Sequence, residues 1–402
     1  MTSLDMAERD ALDIAAEAPM IDQVERWAAV NSGTGNLSGL KTVAGLLADG
    51  FAALPGKLRL RAAAPVENVD AKGHVQTIER GDHLHLSVRP KAPLQLLLTG
   101  HMDTVFAVDH PFQSLRWLDD GVINGPGTAD MKGGIAVILA ALSALEASPL
   151  RDRIGYDVLI NSDEETGSHG SATLIAELAR GKAAALTYEP ALPDGTLAGA
   201  RPGSGNFSIT IHGKAAHAGR NPEDGRNALI AAADLALRLN AAKAPGLKVN
   251  AARIEGGGPN NIVPDLAILR FNLRPETPDD MNAASEALRA AISAIEREHG
   301  VEAHLHGSFN RPPKQLDAQA EKLFDLVRTC GAALGLDLAW KATGGVCDGN
   351  NIAACGVPVV DTMGPRGGAI HSEDEFLIAG SLPERAQLSA LTLLRLAEKG
   401  GL

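Results

Sequence analysis

Histidine and carboxylate side chains recur directly after short apolar runs in the first half of the chain, in positions suited to binding a metal ion. They are His101 and Asp103 after LQLLLTG, Glu164 and Glu165 after YDVLINSD, and Glu189 after AAALTY. In an open α/β sheet, ligands gather outside the carboxyl ends of the strands. If the apolar runs are strands, three strand ends bring a histidine and several carboxylates to one edge of the sheet.

The spacing of His101 and Asp103 suits a braced metal ligand. Residues two apart on an extended segment point to the same side. Asp103 can therefore hold one imidazole nitrogen while the other binds a metal. The alternative is a turn with a solvated histidine and aspartate, and these two residues alone do not decide between the interpretations.

A glycine-rich segment, GPGTADMKGG at 125–134, opens a helical pattern and carries Asp130 at the junction. Glycines let the backbone come close to a ligand. Asp130 is either a metal ligand or a helix-capping residue, which is a common role for aspartate. A phosphate-binding loop is a further alternative, but the dinucleotide and Walker glycine spacings are absent.

Three successive acids, Asp163, Glu164 and Glu165, stand at one predicted strand end. Their mutual repulsion would raise their pKa values unless a cation or solvent relieves it. Since adjacent side chains diverge, one glutamate can bind metal while its neighbour acts as a general base on water. A solvated acidic turn is the alternative.

Glu189 and His371 complete a set of two histidines and three acids. Mixed nitrogen and oxygen ligands suit zinc, with cobalt or manganese as substitutes. Two ions sharing Asp130 as a bridge would each take one histidine and one further carboxylate, and would acidify a water molecule between them. The predicted metal ligands are His101, Asp130, Glu165, Glu189 and His371.

The elements that must position these residues alternate between strand and helix. Apolar runs at 94–99, 156–161 and 184–188 are separated by helical patterns at 134–145 and 172–178. This alternation predicts an α/β fold with a mainly parallel sheet. Helical patterns at 316–334 and 382–399 and a strand at 357–361 close the chain.

Between residues 207 and 305 the pattern changes to β-α-β-β-α-β, which is typical of a ferredoxin-like α+β unit with both helices on one face. The first helix of this unit, 226–240, is predicted to place Leu229, Ile230, Leu235 and Leu239 toward one side. We therefore predict a catalytic domain in two parts, 1–202 and 311–402, with an inserted domain at 203–310.

Net charge, the N-terminal segment and the number of cysteines limit which partners and which cellular location are expected. The net charge of −12 argues against a nucleic-acid or anionic-membrane partner, since both need a concentrated positive field. Acidic and basic residues interrupt residues 1–21, so neither a signal peptide nor a membrane span is predicted there. Cys330, Cys347 and Cys355 are too few for a disulfide framework, and a reducing cytoplasmic location is expected.

Eight motifs, in order, resemble the dinuclear zinc aminoacylase and carboxypeptidase superfamily of metallopeptidases across essentially the whole chain. Within it, the sequence is most like glutamate carboxypeptidase, and is also similar to succinyl-diaminopimelate desuccinylase and acetylornithine deacetylase. The motifs are GHMDTVF, GPGTADMKGG, DEETGS, the strand end at Glu189, GKAAHAG, NNIVP, TGGVCDGN and IHSEDEF.

The resemblance implies two zinc ions per chain, Asp130 as the bridge and a cis peptide bond after it. It implies that Glu164 is the general base and that Asp103 orients the histidine. His217 would stabilise the oxyanion in the active site of a partner subunit, so the inserted domain would be a dimerisation domain and lid. Without the resemblance, a solvated loop histidine would be the better interpretation of His217.

The resemblance also implies a substrate with a free carboxylate, either a small molecule or a short peptide. Asn261 and Arg274 match substrate-binding positions, and Arg311 is a weaker candidate. The loop at Thr343, Gly344 and Gly345 would meet the substrate carboxylate. The family's common Gly-Gly-Gly-Thr is here Gly-Gly-Val-Cys, so the chain departs from the family pattern at this loop.

The expected activity is metal-dependent hydrolysis of an amide bond that releases a C-terminal amino acid, such as glutamate, from an acyl or peptide conjugate. The segments TLAGARPGSGNFSI and SFNRPP resemble glutamate carboxypeptidase more than the deacylases, and this resemblance favours the carboxypeptidase activity. Two alternatives remain: an N-acyl-amino-acid deacylase of the acetylornithine or desuccinyl type, and a non-catalytic dimer that binds an amino-acid derivative.

Overall fold

The computed structural model describes residues 4–118 and 121–402. Its α-helices are α1 (Met6–Ala16), α2 (Met20–Ala28), α3 (Leu37–Phe51), α4 (Gly133–Ala147), α5 (Ala172–Ala179), α6 (Ala228–Ala241), α7 (Pro278–His299), α8 (Ala318–Ala333), α9 (Asp348–Ala353) and α10 (Ser381–Lys399). Its strands are β1 (Lys57–Arg61), β2 (Val66–Val69), β3 (Val75–Ile78), β4 (His83–Val88), β5 (Leu94–His101), β6 (Arg116–Trp117), β7 (Val122–Asn124), β8 (Ile154–Asn161), β9 (Ala184–Thr187), β10 (Leu197–Ala198), β11 (Ser204–His212), β12 (Ala216–His217), β13 (Leu247–Gly256), β14 (Ile262–Val263), β15 (Leu266–Pro275), β16 (Glu302–Arg311), β17 (Trp340–Lys341), β18 (Val359–Val360), β19 (Gly367–Gly368) and β20 (Phe376–Ile378).

A six-stranded sheet with the order β1-β4-β8-β5-β9-β18 forms the centre of the molecule. The pairs β8-β5, β5-β9 and β9-β18 are parallel, whereas β1 and β4 run antiparallel along one side. Leu96 and Leu98 pack in the cluster that contains α4 and α10, while Leu97 packs with α5 and α9 on the other face. Burial of both faces explains the continuous apolar runs of these strands and confirms the predicted α/β fold.

Helix α4 is apolar on every side because it lies inside the protein. The segment Thr128–Ala147 is long and apolar enough to cross a membrane, but 94% of its apolar window is buried. Such a segment is a core helix of the α/β layer.

A second sheet, with the order β13-β15-β11-β16, has α6 and α7 on one face. Its β-α-β-β-α-β order and antiparallel pairing confirm the predicted ferredoxin-like unit. It has a hydrophobic core of its own, which includes Ala231 and Leu235 of α6. Of the four side chains predicted toward one side of α6, Leu235 and Leu239 lie in this core. Ile230 does not: its exposed fraction is 55%, because small alanines rather than Ile230 face the sheet.

The hairpin β2-β3 joins the two units on the face of the second sheet that carries no helix. Nη2 of Arg270 on β15 donates a hydrogen bond of 2.7 Å to the carbonyl oxygen of Val69. The sequence analysis assigned neither this hairpin nor helices α1 to α3, which pack as a layer against the main core.

Candidate metal centre

Neighbouring strands of the main sheet bring the predicted ligands to one edge. His101 is the last residue of β5, Glu165 follows β8 in a short 3₁₀ turn, and Glu189 lies two residues beyond β9. Since β5 lies between β8 and β9 and all three are parallel, their carboxyl ends point the same way. The structure therefore gathers these side chains as their positions after apolar runs suggested.

Asp130 lies between the two histidines. Its Oδ1 is 3.0 Å from Nε2 of His101, and its Oδ2 is 3.3 Å from Nε2 of His371. The peptide bond between Asp130 and Met131 is cis, as the resemblance implied. One carboxylate thus presents a different oxygen to each histidine, which is the arrangement that a bridging ligand requires.

Each histidine also has a second carboxylate neighbour. Nε2 of His371 lies 3.1 Å from Oε2 of Glu165, and Nε2 of His101 lies 3.7 Å from Oε2 of Glu189. The five predicted ligands therefore fall into two half-sites that share Asp130. Each half-site offers one imidazole and one further carboxylate.

A small sheet holds the loop that carries His371 beside this site. Strand β20 pairs with β7, and β7 leads directly into the turn that carries Asp130. His371 has a positive φ of 64°, in the left-handed region that histidine adopts more readily than most residues. Pairing of these two short strands sets the two loops side by side.

The chemistry of this donor set fits divalent metal ions. Ligand atoms of His101, Asp130 and Glu165 lie within 4.8 Å of one another, as do those of His101, Glu164 and Glu189. Burial raises the pKa of Glu189 to about 8, and burial together with the charge of Asp130 raises that of Glu165 to about 7. The raised pKa values mean that the negative charge of these buried carboxylates is poorly compensated by the protein. A bound cation would supply the compensating positive charge. Oxygen and imidazole donors suit zinc and related ions.

Asp103 joins the histidine to the acidic turn. Its Oδ1 lies 3.3 Å from Nδ1 of His101. Its carboxylate also accepts hydrogen bonds from the backbone N–H groups of Glu164, at 3.1 Å, and Glu165, at 3.2 Å, and from the hydroxyl of Thr34, at 2.7 Å. Asp103 therefore positions both the imidazole and the two glutamates.

Glu164 is buried against a guanidinium group. Burial raises its pKa to about 8, and the charge of Arg311 opposes that rise. Nη2 of Arg311 lies 2.6 Å from Oε1 of Glu164, and Nη1 lies 2.7 Å from Oδ1 of Asp348. One oxygen of this carboxylate is thus fixed by Arg311, and a Glu164 oxygen lies within 4.8 Å of candidate ligand atoms of His101 and Glu189.

Glu375 is a positioning residue that the sequence analysis missed. Its buried carboxylate accepts hydrogen bonds from the backbone N–H groups of Gly127, Ala129 and Asp130, at 3.0 to 3.1 Å. It lies four residues after His371, so it ties the two ligand-bearing loops together. In sequence it belongs to the acidic run at 373–375, which is typical of a solvated turn.

A cavity of about 580 Å³ opens beside the ligands and is lined by residues from both units. Arg274, Thr343 and Gly345 line it, as predicted for substrate contact. Gly344 takes part through its carbonyl oxygen, which accepts a hydrogen bond of 3.1 Å from Nη1 of Arg274. Arg201, which the sequence analysis did not single out, also lines the cavity and pairs with Asp361 at 2.8 Å.

Two predicted site residues lie elsewhere. His217 and Asn261 are on an exposed two-stranded ribbon, β12-β14, where the N–H of Ala218 donates a hydrogen bond of 2.9 Å to the carbonyl oxygen of Asn261. Neither is among the described residues that line the cavity. Within a single chain, the structure does not bring them to the ligands.

Comparison with known proteins agrees with this geometry. The profile of peptidase family M20/M25/M40 matches residues 97–395. The chain is 32% identical over 324 residues to carboxypeptidase G2 of a Pseudomonas species, covering 79% of this chain and 77% of that protein. It is 26% identical over 327 residues to succinyl-diaminopimelate desuccinylase of Stutzerimonas stutzeri, covering 78% and 81%.

The fold is also found in a solved structure, that of YXEP of Bacillus subtilis, described as a dinuclear metal-binding peptidase. The TM-score is 0.64 at 17% identity, over 95% of this chain and 99% of that one. The family match spans the strands and loops that carry all five predicted ligands. The chain therefore belongs to peptidase family M20/M25/M40 and is a metallohydrolase.

Proposed function

We propose that this protein is a zinc-dependent hydrolase that releases a C-terminal amino acid, such as glutamate, from an acyl or peptide conjugate. The observation that carries the proposal is the position of Asp130, whose two oxygens face two histidines that each have a further carboxylate neighbour. This arrangement favours a pair of metal ions, which polarise a carbonyl group and make water a nucleophile near neutral pH.

We assign one metal ion to each of the two half-sites. His101 and Glu189 would hold one ion, Glu165 and His371 the other, and Asp130 would bridge them. Asp103 and Glu375 would orient these ligands without touching the metal, which fits their hydrogen bonds to neighbouring backbone groups.

Glu164 is the proposed general base. Its carboxylate takes a proton from the water that attacks the amide carbon, and it returns that proton to the departing nitrogen as the C–N bond breaks. Arg311 and the backbone contacts of Asp103 fix its position. One water is consumed, and an acid and an amine are formed.

Arg274 and the loop at Thr343, Gly344 and Gly345 would bind the free carboxylate of the substrate. A guanidinium group grips a carboxylate in a bidentate manner. Arg274 already lines the cavity and contacts this loop. In this chain the loop continues into Val346 and Cys347, and the Cys347 side chain caps α9.

Homodimerisation is part of the proposal, with residues 203–310 as the dimerisation and lid domain. Ile230 and Leu237, seven residues apart and so on one side of α6, have exposed fractions of 55% and 70%. Large apolar side chains grouped in this way are typical of an association surface. His217 and Asn261 of the partner subunit would then complete the cavity, with His217 stabilising the oxyanion.

The choice of substrate rests on the relatives. Carboxypeptidase G2 shares 32% of aligned residues, compared with 26% for the desuccinylase. The deacylase activity remains the second candidate because the same metal and base would serve it. A non-catalytic binding dimer has less support, since the side chains of Glu164 and the five proposed ligands converge on one site. We retain the cytoplasm as the proposed location, which fits three unpaired cysteines.

The test is a substrate panel on zinc-loaded protein: N-acyl-glutamates, dipeptides, acetylornithine and succinyl-diaminopimelate. The proposal predicts the highest kcat/KM for substrates that release a C-terminal amino acid. A clear preference for acetylornithine or succinyl-diaminopimelate would overturn the assignment in favour of a deacylase. Absence of cleavage across the panel would contradict amide hydrolysis itself.

A further inference from the structure

A second cavity, of about 1090 Å³, lies between the helix-free face of the second sheet and the hairpin β2-β3. We call it the sheet groove. Thr166, Asn206 and Arg274 line both the sheet groove and the cavity beside the metal ligands. The two cavities therefore adjoin at these residues, and a substrate bound at the metal centre that extends past Arg274 would reach the sheet groove.

The charged side chains that line the sheet groove are mostly cationic. Among the described residues of its lining, only Glu67 is acidic, whereas the basic residues are Arg80, Lys248, Arg270 and Arg274, with His169 and His306 beside them. The whole protein carries a net charge of −12. A concentration of positive charge in an acidic protein attracts anions to that place.

Two of these cations face each other directly. Lys248 on β13 is the register partner of Arg274 on β15. Like charges in this position destabilise a sheet. Neither side chain has a carboxylate within ion-pair distance among the residues that the structure describes. Arg270, by contrast, is neutralised by Glu255 at 2.6 Å. An anionic ligand between Lys248 and Arg274 would relieve their repulsion.

Arg80 adds a third cation on the opposite wall. Its Nε is shielded from solvent and has no hydrogen-bond partner in the described part of the chain. The pKa of His169 is below its ordinary value, mainly through burial. The charge of Asp163 opposes this lowering, and the charges of Arg311 and Arg80 add to it. Arg80 therefore adds positive charge to the lining of the sheet groove.

We propose that the sheet groove binds an anionic extension of the substrate, so that the preferred substrates carry a further carboxylate beyond the one held by Arg274. The inference rests on the proposed function and narrows its substrate class to acidic peptides and acidic acyl-amino acids. Polar neighbours on the same sheet face, Asn250 and Asn272, suit the amide groups of such a chain.

The test compares matched tripeptides that differ only by Glu or Gln, first at the C-terminal residue and then at the two positions before it. Hydrolysis is measured on zinc-loaded protein, and binding is measured by calorimetry on the Glu164→Gln variant. The inference predicts that Glu is preferred at one or more positions by about three- to tenfold, the range expected of a partly exposed charge pair.

Lys248→Gln should remove this preference, and Lys248→Glu should invert it. Lys243→Glu is the matched control, because Lys243 is exposed in the same unit and does not line the sheet groove. Equal binding of Glu and Gln peptides, or a preference that survives Lys248→Glu, would overturn the inference. Absence of hydrolysis with every peptide would instead overturn the proposed function, since binding is read separately.

Discussion

Arg311 holds Glu164 and Asp348 in one buried ion-pair network. Its Nη2 lies 2.6 Å from Oε1 of Glu164 and its Nη1 lies 2.7 Å from Oδ1 of Asp348. The Arg311 side chain is 2% exposed. Asp348 also accepts hydrogen bonds from Ser168, at 2.5 Å, and Asn161, at 2.6 Å. The proposed general base is therefore fixed by a network that reaches the end of β8.

Replacing Arg311 by Met should destabilise the protein and lower kcat more than it raises KM. Removing one partner of a buried charge network leaves uncompensated charges and costs about 3 to 5 kcal/mol. Urea denaturation and steady-state kinetics measure the two effects. Arg328→Met is the control, because Arg328 forms an exposed pair with Asp325. Wild-type stability and kcat in Arg311→Met would contradict the positioning role.

Glu375→Gln should weaken metal binding without removing any ligand. The amide has only one acceptor oxygen and so cannot keep all three hydrogen bonds to the backbone around Asp130. Loss of such an orienting contact typically costs about 10- to 100-fold in metal affinity. Titration of metal-free protein with zinc measures the change. Glu373→Gln, at an exposed neighbouring position, should bind zinc like the wild type. Equal affinities in the two variants would refute the role of Glu375.

The metal-free protein should lose stability as pH rises between about 5 and 8. Burial raises the pKa of Glu164 and Glu189 from 4.5 to about 8. In that interval the folded state keeps protons that the unfolded state has lost. Hydrogen bonds to Asp130 and Glu165 raise the pKa of His371 from 6.5 to about 11, and its contribution also declines above 6.5. The two glutamates and His371 therefore all lower the stability of the metal-free protein as the pH rises.

Urea denaturation across this pH interval, with and without a chelator, tests the prediction. Metal binding displaces these protons, so stabilisation by zinc should grow with pH. At zinc a thousandfold above its Kd, linkage gives about 4 kcal/mol. A metal-free protein whose stability is constant or increases over the interval would show that the buried carboxylates do not titrate as described.

Leu237→Glu should dissociate the proposed dimer and lower kcat, because a charge would replace an apolar side chain that is 70% exposed on α6. Sedimentation equilibrium and kinetics measure both. Met6→Glu, at a side chain 79% exposed on α1, is the control.

A complementation experiment tests the dimer more sharply. Subunits with His217→Ala and subunits with Glu164→Ala, each inactive alone, should recover activity when they are mixed. In a mixed dimer, one of the two active sites has both an intact Glu164 and the partner's intact His217. No recovery would place His217 outside the partner's active site.

The sequence was sufficient to predict the strands of the main sheet, and the edge at which the proposed ligands meet, because the two kinds of signal coincide. Continuous apolar runs mark strands buried on both faces, and the chemically distinctive residues stand at their ends, as at His101 and Glu189. The ferredoxin-like order was also predicted, since β11 and β15 alternate apolar and polar residues and face solvent or the sheet groove on one side.

The residues that position the ligands were not predictable in the same way. Glu375 acts through partners almost 250 positions away along the chain. Arg201, which lines the cavity, likewise pairs with the distant Asp361. In sequence, each resembles an ordinary surface charge. Ile230 was placed on the same side of α6 as Leu235 because it is apolar, but the neighbouring alanines are buried in its place. Contacts between residues that are far apart along the chain leave no local pattern in the sequence from which they could be predicted.

The most direct test of the central claim is the metal content and turnover of Glu164→Gln, beside the wild-type protein, on the best substrate of the panel. The account predicts that the variant keeps both metal ions, because its five ligands remain, while kcat falls by about 10²- to 10⁴-fold with loss of the general base. Near-normal turnover by the metal-loaded variant would contradict the assignment of Glu164, and wild-type turnover after complete removal of metal would contradict metal-dependent hydrolysis altogether.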